Sequence, residues 1–103
     1  MKIKVRKIHE LKTWPRFFQD MADGVKTFEL RKDDRGFEIG DALLLREYMP
    51  DVEQYTGRQL IRLVVYKLNN SIFSGGLQPD HCILGLSMLP DGVTISDTAH
   101  DKN

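Results

Sequence analysis

Lys26, Glu29 and Arg31 fall within one short segment, Gly24-Val25-Lys26-Thr27-Phe28-Glu29-Leu30-Arg31-Lys32-Asp33-Asp34-Arg35. Together they supply a point cation, a carboxylate and a planar fork of donors. The cation and the fork suit a phosphate, and the carboxylate can accept from the amino group of a base. Apolar and polar residues alternate along the segment, which is the period of a β-strand. That alternation predicts Phe28 and Leu30 on a buried face, with Glu29 and Arg31 on the polar face and Lys26 beside them. A polar row of this kind can equally be a solvated face carrying cross-strand ion pairs. The added charge of Lys32 and Arg35 at the same edge sets ligand binding beside that plainer role.

Aromatic side chains extend the candidate site. Trp14, Tyr48 and Tyr66 offer faces on which an unpaired base could stack. The plainer role for Trp14 is a hydrophobic staple at a helix start, and Tyr66, in mid-strand, is expected in the core. His9 either lines the rim of a cleft or caps the first strand, and Lys12 adds a cation nearby. The candidate ligand contacts are therefore His9, Lys12, Trp14, Lys26, Glu29, Arg31, Lys32, Arg35 and Tyr48. His9, His81 and His100 lack metal-ligand spacing, so no metal is expected. Gly75-Gly76 is not followed by the lysine and Ser/Thr of a phosphate loop, and no cofactor is expected.

The elements that must position these residues follow from patterning. Ile3, Val5 and Ile8 alternate with basic residues in a first strand. Thr13 is placed to cap a helix with Pro15 in its first turn, and Phe17, Phe18, Met21 and Ala22 form that helix's apolar face before Gly24 stops it. Strands are expected over 26–31, 42–48, 59–68 and 81–88, with a hairpin loop at 50–57 and a long loop at 69–80 around Ile72-Phe73. Residues 1–89 form one domain, and 90–103, with little to bury, is expected to be a flexible tail. One helix near the start and about five mostly antiparallel strands describe a small α+β domain whose sheet curls into a barrel.

Composition sets the bounds. A chain of 103 residues with 41% hydrophobic and 29% charged residues supports a single modest core. Fifteen basic residues balance fifteen acidic ones, so any anion-binding surface must be a local patch. It would draw on Lys2, Lys4, Arg6, Lys7, Lys12, Lys26, Arg31, Lys32 and Arg35. The single cysteine, Cys82, excludes an internal disulfide, and its apolar setting reads as a small buried residue rather than a nucleophile. No apolar run approaches the roughly 20 residues of a membrane span, and no leader pattern opens the chain. A cytoplasmic protein without membrane partners is expected; the sequence leaves the oligomeric state open, with a monomer favoured.

The Gly-x-Lys-Thr-Phe-Glu-Leu-Arg strand after a helix, followed by Phe37-Glu38-Ile39-Gly40-Asp41, resembles the ASCH domain of the PUA-like superfamily. His9-Glu10-Leu11-Lys12 and Tyr55-Thr56-Gly57-Arg58 are similar to a small bacterial and phage branch of that group. The likeness covers roughly residues 7–88. It implies a pseudo-barrel with a cleft between the first helix and the sheet, and an RNA, nucleoside or nucleotide ligand. Thr27 joins the candidate contacts as part of the shared motif. Some ASCH relatives are amidohydrolases that deacylate N4-acylated cytidines with a lysine, a threonine three places on and a distal glutamate. Lys26 stands at the lysine position, whereas the threonine position holds Glu29. The stretch from Asn69 to His81 has no glutamate, only Asp80. The resemblance therefore implies binding first, with hydrolysis by Lys26 and Glu29 as the alternative.

Overall fold

A computed structural model of the chain describes residues 1–97 together with 100 and 101. Its elements run β1 (Lys2–Val5), β2 (Ile8–Thr13), α1 (Pro15–Ala22), β3 (Phe28–Lys32), β4 (Ala42–Met49), β5 (Gln54–Asn69), β6 (His81–Met88), β7 (Thr94–Asp97) and β8 (His100–Asp101). Among the described residues strands dominate and the one helix is short, so the protein is a small α+β fold with a curled sheet. Six strands join in the order β3-β6-β5-β4-β2-β8, and β1 pairs with β7 in a separate ribbon. Pairings β3–β6, β6–β5 and β5–β4 are antiparallel, whereas β4–β2, β2–β8 and β1–β7 are parallel. β7 and β8 both fall within the stretch that composition assigned to a flexible tail. Their strand character comes from backbone pairing with β1 and β2, which side-chain hydropathy does not report.

The basic N-terminal run is two strands, broken at Arg6-Lys7. Arg6 N–H donates to the Gly40 carbonyl at 3.2 Å. The Arg6 side chain turns to Asp41, with Nε to Oδ1 at 2.6 Å and Nη2 to Oδ2 at 2.8 Å. Asp41 is fully buried. His9 Nε2 lies 2.8 Å from its Oδ2, and the Glu38 backbone N–H donates to the same oxygen at 2.9 Å. The break therefore follows from a buried carboxylate that the chain must enclose. It also launches β2 in parallel register with β4, Ile8 opposite Ala42 through Thr13 opposite Glu47.

That register corrects a local expectation. The strand that begins at Ile8 runs on through His9 to Lys12, and Thr13 closes it instead of capping the helix. Trp14 occupies the N-cap in an extended conformation, without a side-chain cap bond, and Pro15 follows at the first helical position. Phe18 and Met21 are the buried helix face, and Phe17 stays 41% exposed. Gly24 ends the segment at φ 75°, a left-handed turn that costs glycine nothing.

The core gathers Leu11, Met21, Phe37, Leu43, Leu45 and Leu84 with Cys82. Burial pushes the Cys82 thiol up to about 11, which suits the small buried residue expected of it. Tyr66 is corrected: it is 60% exposed. A bulge between Val64 and Tyr66 breaks the alternation, so that Val64 points inward while both following residues point out.

Asp41 sets an acid limit on the fold. Burial raises its carboxyl pKa, but the donors from Arg6, His9 and the Glu38 N–H outweigh burial and leave it below the usual range. A depressed folded-state pKa contributes stability that is present above the unfolded value and lost as pH falls through the folded one. The urea midpoint should therefore drop below about pH 4, near the ordinary aspartate value. Asp41→Asn should lower stability at pH 7 by about 2–3 kcal/mol, since it strips partners from a buried site. It should also flatten the acid limb; an acid limb as steep as that of wild type would contradict this role.

Candidate functional site

Lys12 and Thr13 at the end of β2, Trp14 and Phe17 at the start of α1, and Phe28 to Arg31 in β3 surround an open pocket, with Lys26 at its border. Its volume is about 570 Å³, within the range of small-molecule sites. The pocket exists because β2 runs straight into α1. A strand followed at once by a Pro-initiated helix leaves Trp14 at the corner, facing the edge strand β3.

β3 reverses the expected facing. Glu29 is buried at 4% exposure, while Phe28 and Leu30 are 46% and 55% exposed. The register explains the reversal. Glu29 pairs with Leu84 and Arg31 with Cys82, both inward-facing core positions of β6, whereas Phe28 opposes Gly85 and Leu30 opposes Ile83. At this edge the inward face meets the helix corner rather than the packed core, so a carboxylate can face in if cations compensate it. Lys26 Nζ bonds Glu29 Oε1 at 2.8 Å and Arg31 Nε bonds Oε2 at 2.9 Å. The Glu29 side chain is 5% exposed, against 17% for Lys26 and 26% for Arg31. The carboxylate is thus the deepest of the three.

Each cation has a second anchor. Lys26 Nζ donates to the Phe28 carbonyl at 2.6 Å and lies 5.0 Å from the Phe28 ring centroid. Arg31 Nη2 donates to the Lys12 carbonyl at 2.7 Å, which ties β3 to the end of β2 across the pocket. These bonds use two of the five guanidinium N–H groups and leave three for a ligand. Lys12, Lys26 and Arg31 against the single Glu29 leave the pocket an excess of two positive charges. Trp14 and Phe17 supply an aromatic wall, their rings 6.3 Å apart and 20° from parallel.

Sequence reasoning missed one functional candidate. Thr13 is 3% exposed, and its Oγ1 has no hydrogen-bond partner among the described residues although it lines the pocket. A buried hydroxyl without a partner carries an unrecovered desolvation cost. The only available signal was a Thr-Trp-Pro sequence, which reads as a cap.

Of the expected contacts, the pocket brings together Lys12, Trp14, Lys26, Glu29 and Arg31. The others lie elsewhere. His9 is fully buried against Asp41 and the edge of Phe37. Tyr48 packs on Tyr55 beneath the Lys12 ammonium, 4.6 Å from its ring centroid. Arg35 donates to the Glu10 carbonyl. Lys32 is exposed at the end of β3, and Thr27 is exposed, its carbonyl accepting from Leu86 N–H. The expected basic patch is also partly neutralised, because Arg6 is engaged by Asp41 and Arg31 by Glu29. Among the described residues no His, Cys, Asp and Glu cluster could hold a metal, and no helix is long and apolar enough to cross a membrane.

Residues 8–86 match the family described as a domain of unknown function, DUF3850, and the chain belongs to it. The chain is also similar to a protein of Escherichia phage P2 described as an uncharacterized 12.9 kDa protein in the GpA 3′ region, with 43% identity over 54 residues. That alignment takes in 52% of this chain and spans about half, 48%, of the relative.

The orphaned hydroxyl makes a stability test. Thr13→Val removes an unpartnered polar group at constant shape and should leave stability unchanged or raise it, by up to about 1 kcal/mol. A loss of more than about 1 kcal/mol in urea unfolding would mean that the hydroxyl has a structural partner.

Proposed function

We propose that this chain binds RNA or a modified nucleotide in the pocket between α1 and β3, and that its family is a branch of the ASCH domains of the PUA-like superfamily. One observation carries the reading. A carboxylate clamped between Lys26 and Arg31 lies deepest in a pocket walled by Trp14 and Phe17. A flat base enters such a pocket by stacking on the aromatic wall, and its amino group donates to Glu29. The remaining N–H groups of Arg31 and the Lys12 ammonium serve the phosphate, where two-pronged donation adds direction to charge. The Thr13 hydroxyl supplies a donor or acceptor for the rim of the ring. Clamping Glu29 in advance lowers the cost of ordering the site on binding.

NMR titration of labelled protein with nucleosides, nucleotides and short RNAs tests the reading. Shifts should cluster at residues 12–17 and 28–31, and affinity should fall steeply with salt as phosphate contacts release counterions. Arg31→Lys should weaken binding about tenfold although the charge is kept, because the fork is lost. Glu29→Gln should change which base is preferred. A titration in which no pocket resonance moves with any of these ligands would end the proposal.

A second reading, hydrolysis, draws on the Lys26–Glu29 pair at 2.8 Å and the unpartnered Thr13 hydroxyl in the same pocket. In an N4-acylated cytidine, water would add to the acyl carbon while Glu29 takes its proton and Lys26 stabilises the oxyanion. The amide C–N bond would then break and the proton pass to the departing N4 amine, releasing cytidine and a carboxylic acid. Incubation with N4-acetylcytidine should yield free cytidine with the wild type and not with Lys26→Ala. Equal yields from the two proteins, or none from the wild type, exclude this chemistry.

A further inference from the structure

A second pocket, of about 460 Å³, adjoins the first and is lined by Trp14, Pro15, Arg16, Met49, Pro50, Asp51 and Val52. Trp14 borders both pockets. Its indole stacks on Phe17 and the residue is still 55% exposed, so it forms the ridge between them. Arg16 lies in the second pocket, exposed, and makes no ion pair or side-chain hydrogen bond among the described residues. The other arginines are all engaged: Arg6 by Asp41, Arg31 by Glu29, Arg35 by Asp34, Arg46 by Glu10, Arg58 by Glu47 and Arg62 by backbone carbonyls. Two residues before the ridge, Lys12 borders the first pocket; two residues after it, Arg16 borders the second.

The ridge thus has an aromatic crest, a cation on each side and a seat on each side. We infer that the ligand spans both pockets, and that it is a single-stranded oligonucleotide of at least two residues crossing Trp14. This rests on the nucleotide reading of the first pocket and adds the size of the ligand and a second subsite. The neighbouring base would lie on Met49, Pro50 and Val52, with its edge toward Asp51. The linking phosphate would meet Arg16, whose guanidinium has no carboxylate partner among the described residues to leave. Stacked bases on an aromatic crest with cations beside it are a sequence-tolerant way to hold a single strand.

Trp14 is the only tryptophan of the chain, so its fluorescence reports the ridge directly. Titrations would compare each ribonucleoside 5′-monophosphate with ribo- and deoxyribodinucleotides, for wild type and Arg16→Ala, alongside NMR shifts of the first pocket. A ribodinucleotide should bind about tenfold tighter than the monophosphate, as one added stacked base allows. Arg16→Ala should remove that gain, leave monophosphate affinity unchanged and reduce the salt slope by about one. Equal affinity for one and two nucleotides, or a dinucleotide gain that survives Arg16→Ala, overturns the two-pocket ligand and leaves the first pocket standing. Deoxyribodinucleotides binding as tightly as ribodinucleotides would support the spanning strand and remove any preference for RNA. No response to any of these probes in either readout would overturn both readings.

Discussion

The fold hangs on one buried carboxylate. Asp41 is fully enclosed yet charged, and its two oxygens receive the Arg6 fork, the His9 ring and the Glu38 N–H. An uncompensated buried charge costs several kcal/mol, so the partners must converge. Their convergence fixes the break between β1 and β2 against the turn that begins β4. From there the parallel register of β2 and β4 follows, and with it the point at which β2 ends and Trp14 turns the chain into α1.

A second buried carboxylate repeats the device for another purpose. Glu29 is also compensated, here by a lysine and an arginine, but it lies at the base of an open pocket. Asp41's donors come from elements on every side and leave no route to solvent. Glu29's donors come from its own strand and the residues just before it, so the side facing α1 stays accessible. The bond from Arg31 to the Lys12 carbonyl then spans the pocket and holds its two walls together. The first carboxylate is sealed within the fold; the second, with its two cations, lines a pocket.

The wall of the first pocket is aromatic, and its polar groups are few and already oriented by bonds among themselves and to the backbone. Cys82, with its thiol pushed up to about 11 in the core, offers no nucleophile. Membership of a family that matches residues 8–86 places β2 through most of β6, and hence the whole first pocket, inside the shared domain.

Sequence alone determined the helix opened by Pro15, a strand carrying Glu29 and Arg31 soon after it, the strands across 42–48, 59–68 and 81–88, the buried cysteine and the grouping of Lys26, Glu29 and Arg31. These are local properties, carried by periodicity, proline geometry and spacing. Only the tertiary structure decided which face of β3 turns inward. Alternation gives two faces but no sign, and an edge strand beside a helix corner can bury its polar face once Lys26 and Arg31 compensate Glu29. The same holds for His9, where a rim residue and a buried partner of Asp41 look alike until the register with β4 is set. Tyr66 left the core through a one-residue bulge, which no pattern of side chains announces. Thr13 was legible as a cap and became an unpartnered pocket hydroxyl, because the strand before it ran on past Ile8 to Thr13 itself. Strands β7 and β8 escaped notice for a related reason: their stability comes from backbone bonds to distant partners, and a polar sequence carries no mark of them.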